Sequence, residues 1–130
     1  MIALDTNVLA RLLLRDDATQ HAQARALMQA NAQLTAPVTV MLELVWVLEA
    51  NDCSAAEIAH GLNLLLGLPN FVPQERDALK IALQGYASGL DFADALHLGL
   101  SDSSRQFATF DKSFAKKAAK LGLKPDVLKV

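Results

Sequence analysis

This chain has a single cysteine, Cys53. That excludes an internal disulfide framework and favours a reducing compartment, where thiols stay unpaired. Strong charge of either sign is also missing: a formal net charge of −2 gives no basic field over the whole surface. Contact with nucleic acid would then depend on locally placed cations or on a bound metal ion. Long hydrophobic runs do not occur, because 12–14, 40–48 and 62–68 are too short or too interrupted to span a bilayer. Met1-Ile2-Ala3-Leu4 runs into Asp5 without the basic and apolar regions of a signal peptide, so a soluble cytoplasmic protein with no membrane partner is expected. Internal repeats and low-complexity stretches do not stand out either.

What the chain does have is material for a core. Hydrophobic residues make up 52% of its 130 residues and charged ones 20%, which argues against disorder and suits one compact domain over 1–130. Ile2-Ala3-Leu4 reads as a buried parallel strand, 33–36 as a second stopped by Pro37, and Phe71-Val72 as a very short third. Residues 106–110 read as another strand and 127–130 as a last edge strand. Between them lie helical patterns. They cover 8–14, then 20–31 capped by Thr19 with a packing face of Ala22, Ala26, Leu27 and Ala30, then 38–50. A capping box, Ser54 with Glu57, opens the next, which ends near Leu66-Gly67. The remaining helices cover 74–88, loosened at its end by Gly85 and Gly89, then Asp91 to about Ser101, and 113–121. This alternation predicts an α/β fold: a three-layer α/β/α sandwich with a small central parallel sheet.

The acids of interest fall at element boundaries. In Leu90-Asp91-Phe92-Ala93-Asp94-Ala95-Leu96-His97 two carboxylates stand three residues apart, on one face of a helix. Asp91 suits the N-cap and Asp94 the first turn, where the helix dipole also favours an acid. Asp5 ends the first strand. An N-cap role would account for it, but the carboxyl edge of a parallel sheet is also where open α/β folds bind ligands. Asp111 repeats the strand–Asp–helix pattern. Glu43 lies inside Val40-Met41-Leu42-Glu43-Leu44-Val45-Trp46-Val47-Leu48, a run apolar almost all round and hence expected to be buried. A buried carboxylate must be paired, protonated or metal-bound, and no Lys or Arg stands three or four positions away. The alternative is a small solvent-exposed stripe at Glu43. Trp46 reads as core or dimer interface rather than a base-stacking platform.

If the strands ending at Asp5 and Asp111 are neighbours, then Asp5, Glu43, Asp94 and Asp111 surround one cleft. Such a cluster repels itself at neutral pH unless a proton or a cation enters it. Oxygen-only ligands favour Mg²⁺ or Mn²⁺ over Zn²⁺, and a cation of that kind suits phosphate chemistry with an activated water.

Four segments in order resemble the PIN-domain family, specifically VapC-type toxin ribonucleases. They are Met1-Ile2-Ala3-Leu4-Asp5-Thr6-Asn7-Val8-Leu9, Leu42-Glu43-Leu44-Val45-Trp46-Val47-Leu48, Asp91-Phe92-Ala93-Asp94-Ala95-Leu96, and Ala108-Thr109-Phe110-Asp111-Lys112-Ser113-Phe114. The resemblance implies that Asp5, Glu43, Asp94 and Asp111 bind Mg²⁺ or Mn²⁺ for RNA hydrolysis, with Thr6, Asn7 and Thr109 supporting them and Asp91 peripheral. It also implies a homodimer and a cognate antitoxin protein that inserts a segment at or near the acidic cleft. Arg11, Arg15, Lys112 and Lys116 sit near the Asp5 and Asp111 turns, either to contact RNA phosphates or simply as solvated helix-face charges. His97 reads as a helix residue near the site; His21 and His60 take no role. Two rivals stand beside this reading. An aspartyl-nucleophile phosphatase also starts with a strand ending in Asp, but it needs an acid two residues later, where this chain has Asn7. A non-catalytic module would keep the fold for protein or RNA contacts.

Overall fold

A computed structural model describes residues 1–30 and 32–130, which fall into two compact units, Met1–Arg76 and Asp77–Val130. Together they hold seven helices and two small parallel sheets among the described residues, a mixed α/β fold of the class the alternation predicts. Asn31, where the second helix was expected to end, lies outside the described residues.

In the first unit, β1 (Ile2–Ala3) pairs in parallel with β2 (Leu34–Thr35), Ile2 opposite Leu34 and Ala3 opposite Thr35. Leu34 also bridges in parallel to Phe71, the short third strand of the sequence reading. All three segments therefore run the same way, and β1 and β2 leave one edge into α1 (Thr6–Leu14) and α3 (Val38–Ala50). The first strand is not buried as expected. Ile2 is 45% exposed and Ala3 is exposed too, and burial begins just past the strand, at Leu4.

Helix α1 buries Thr6, Leu9 and Ala10, an i, i+3, i+4 face, and packs on α3 and on α2 (Ala18–Gln29). Two expectations about α2 are corrected. Its N-cap is Asp17, whose carboxylate accepts from Gln20 N–H at 2.9 Å, and Thr19 lies inside the first turn. Both residue types cap well, but it is Asp17 whose backbone is extended. The buried side of α2 is Ala24 and Met28, with Leu27 half-buried, while Ala22, Ala26 and Ala30 face solvent.

Helix α3 has the predicted bounds but not the predicted burial. Met41, Leu44, Val45 and Leu48 form one buried i, i+3, i+4, i+7 face. Thr39, Glu43, Trp46 and Ala50 form the opposite, exposed stripe. Glu43 is therefore a solvent-facing carboxylate, and Trp46, 53% exposed, is not a core residue. Helix α3 packs against α1 and α4 (Ala55–Leu66) yet leaves this stripe to solvent, so an apolar run along it does not imply burial. Helix α4 opens with the predicted capping box, Ser54 and Glu57 bonding reciprocally.

The second unit holds most of α5 (Arg76–Ala87), then α6 (Phe92–Leu100), β3 (Gln106–Thr109), α7 (Lys112–Lys120) and β4 (Asp126–Lys129). Strands β3 and β4 pair in parallel from Gln106 opposite Asp126 to Thr109 opposite Lys129. Tyr86 and Phe92 meet edge to face with centroids 5.7 Å apart, inside a core of Leu79, Leu83, Leu96 and Leu98. Gly85 does not loosen α5. It is buried where a Cβ would stand 3.0 Å from Leu90 Cδ1 and 3.4 Å from Ala95 Cβ, so its lack of a side chain permits close packing. Gly89, at φ +103°, makes the turn into α6.

Candidate active site

The predicted acids occur as two sets, one per unit. In the first, Asp5 is exposed at the N-cap position of α1, where β1 ends. Its backbone is extended, φ −82° and ψ 161°, yet its side chain makes no capping hydrogen bond. The next residue, Thr6, is buried and donates its hydroxyl hydrogen bond to Glu43 Oε1. The first helical residue of α1 thus holds the Glu43 carboxylate on α3 beside the Asp5 turn. Asn7 follows, exposed, in the first turn.

In the second unit, Asp91 caps α6, accepting from Asp94 N–H at 3.0 Å, as the sequence predicts. Asp111 caps α7, accepting from Phe114 N–H at 3.0 Å. Thr109 Oγ1 accepts from Asp111 N–H at 3.0 Å and fixes that turn. Asp91, Asp94 and Asp111 line one small cleft of about 180 Å³ together with Ser113 and Lys117. Asp94 is half-buried. Burial, and then the like charges of Asp91 and Asp111, push its carboxyl above the usual aspartate range, while His97 pulls the other way.

Of the basic residues, Arg11 is engaged within its own unit. Arg11 Nη1 binds both carboxylate oxygens of Asp16, at 2.7 and 2.9 Å, and its Nε binds Gln20 Oε1 at 2.8 Å. Its charge is answered within the first unit rather than displayed for phosphate. Arg15 ends α1 in the left-handed region and is exposed; Lys112 and Lys116 are exposed on α7. Lys117, also exposed on α7, lines the acidic cleft, its Nζ 3.4 Å from Gly89 O. The spacing of lysines on α7 does not by itself say which of them lines this cleft.

The PIN domain family model matches residues 2–120, across both units. The chain belongs to the PIN domain family. A sequence search of curated proteins finds no match. PIN domains are commonly nucleases, so the coarse expectation for this one is hydrolysis of nucleic acid. No helix among the described residues of this PIN domain is long and apolar enough to cross a membrane.

The donors of this PIN domain fit a hard divalent cation by type, since carboxylate, hydroxyl and amide oxygens are the ligands such ions take. Among the described residues, no group of three or more His, Cys, Asp or Glu side chains is already placed to hold a metal ion. A cation would have to draw the carboxylates inward, and the repulsion around Asp94 is what its charge would offset.

Proposed function

We propose that this PIN domain is a single-domain endoribonuclease dependent on Mg²⁺ or Mn²⁺, with Asp5, Glu43, Asp94 and Asp111 as its metal-binding carboxylates. The observation that carries the reading is that the Asp5 carboxylate makes no hydrogen bond among the described residues. Asp17, Ser54, Asp91 and Asp111 all cap the helices they precede, and Asp5 occupies the same position without doing so. Capping therefore does not explain why an acid stands there. A divalent cation bound among these acids supplies Lewis acidity and positive charge toward a phosphodiester. Thr6 orients Glu43, Thr109 fixes the Asp111 turn, and Lys117 offers a cation beside Asp94 for a phosphate oxygen.

In this reading the protein is the toxin of a type II toxin–antitoxin pair, cytoplasmic, homodimeric and inhibited by a cognate antitoxin. Support comes from the family match together with the ordered segments around the four acids. The test is cleavage of an unstructured RNA with Mn²⁺, with Mg²⁺ and with EDTA. Activity is expected only with metal. Asp94→Asn should lower it by at least about a hundredfold, since loss of groups that merely support metal ligands already reaches that scale. Asp91→Asn keeps a good N-cap and should leave substantial cleavage. Cleavage that persists in EDTA, or an active Asp94→Asn beside a dead Asp91→Asn, overturns the assignment.

A further inference from the structure

The first unit has a cleft of about 310 Å³ between α1 and α2 that the acidic site does not use. Its floor is apolar: Val8, Ala24 and Leu27. Its rim carries the side chains of Asn7, Gln20 and Gln23, with Arg11 to one side. Asn7, on the rim, is two residues past Asp5, so the cleft opens beside the proposed site of phosphodiester attack.

The chemistry of the rim narrows the occupant. Arg11 is neutralised by Asp16 and tied to Gln20, so the cleft offers no free positive charge to a phosphate. The Asn7 and Gln23 amides hold no hydrogen bond among the described residues. Each presents a donor and an acceptor side by side, which pairs with a base edge that does the same. The volume is at the small end for ligand sites, enough for one flat ring system. Sequence-specific recognition of single-stranded RNA reads splayed-out bases through side-chain hydrogen bonds to their edges.

We infer that the α1–α2 cleft receives one unpaired nucleobase of the RNA next to the scissile phosphate, with Gln23 reading its edge. The inference rests on the ribonuclease reading, and the two fail separately. The probes are short unstructured RNAs in which an abasic nucleotide replaces each position around the cleaved bond in turn. Fluorescence anisotropy with the full chain in EDTA measures binding, and Mn²⁺ assays measure kcat/KM. In wild type, one abasic position is expected to cost about tenfold, the scale of one amide–base pairing. In Gln23→Ala that positional cost should nearly vanish. Gln23 is exposed on a helix, so circular dichroism should show both proteins folded. Gln23→Glu removes the donor and should shift preference toward a base offering a donor, as cytosine does. The same positional cost in wild type and Gln23→Ala, or none in either, means a packing gap only and overturns the inference. Base-selective binding without any cleavage would support the cleft and sink the ribonuclease reading.

Discussion

Asp5 and Asp111 each follow a short parallel strand and each occupy the N-cap of a helix, with φ near −80° in both: −82° at Asp5 and −78° at Asp111. At Asp111 the side chain turns back and accepts from Phe114 N–H. At Asp5 it does not cap, and the neighbouring hydroxyl of Thr6 reaches away to Glu43. The same local sequence plan therefore serves two ends. One aspartate stabilises its own helix while lining an acidic cleft, and the other makes no capping bond to its helix. A capping aspartate and a ligand aspartate cannot be told apart by residue type and position, because the N-cap preference is met by both.

The largest test of that contrast is metal. At a Mn²⁺ concentration about a hundred times its dissociation constant, unfolding free energy is expected to exceed that in EDTA by about 2.7 kcal/mol. Asp94→Asn should lose this increment. Asp5→Asn and Asp111→Asn should each reduce it if both junctions serve one ion. A reduction in Asp111→Asn alone would confine the ion to the second unit, and equal increments in all four proteins would place it elsewhere.

Capping is the next effect. Asp111→Ala removes the bond to Phe114 N–H and should cost about 1 kcal/mol, which Asp111→Asn largely retains. Asp5→Ala has no such bond to lose, and its urea midpoint in EDTA should stay close to that of wild type. Equal losses in the two alanine variants would erase the distinction between the junctions.

The smallest effect concerns pH. The fold raises the Asp94 carboxyl above its ordinary value, first by burial and then through Asp91 and Asp111. The folded state thus holds that proton more tightly than the unfolded state. The stability this group contributes is full below its unfolded value and is lost as pH rises through its folded value. Urea midpoints in EDTA should show this decline in wild type and lack it in Asp94→Asn. Superimposable profiles would mean that the crowding of acids in the second unit is not felt.

Element order was legible because apolar periodicity and most caps agree: Ser54 and Asp91 cap as their spacing predicts, whereas Asp17 takes the place expected for Thr19 and Asp111 caps a helix that starts one residue before the expected 113. Burial on α3 was not. An all-apolar helix implies a buried one only if neighbours cover every side, and neither Glu43 nor Trp46 is covered. The bond from Thr6 to Glu43 links residues 37 apart, so no local pattern announces it. Likewise, Arg11 reads as an available cation until Asp16 and Gln20 are seen to fold back on it. The lining of the α1–α2 cleft depends on how those two helices pack, which the spacing of Gln20 and Gln23 alone does not reveal.

Trp46 gives the molecule a built-in optical reporter. It is the only tryptophan, it is 53% exposed, and it stands one turn from Glu43 on the same stripe of α3. Its indole emission in the native state should resemble that of a wetted indole and change little in wavelength on unfolding. Denaturation is therefore better followed by circular dichroism. The same wetness makes the signal selective: any macromolecule that settles on the Glu43 face dehydrates this one ring and moves its emission toward the blue, against a background with no other indole.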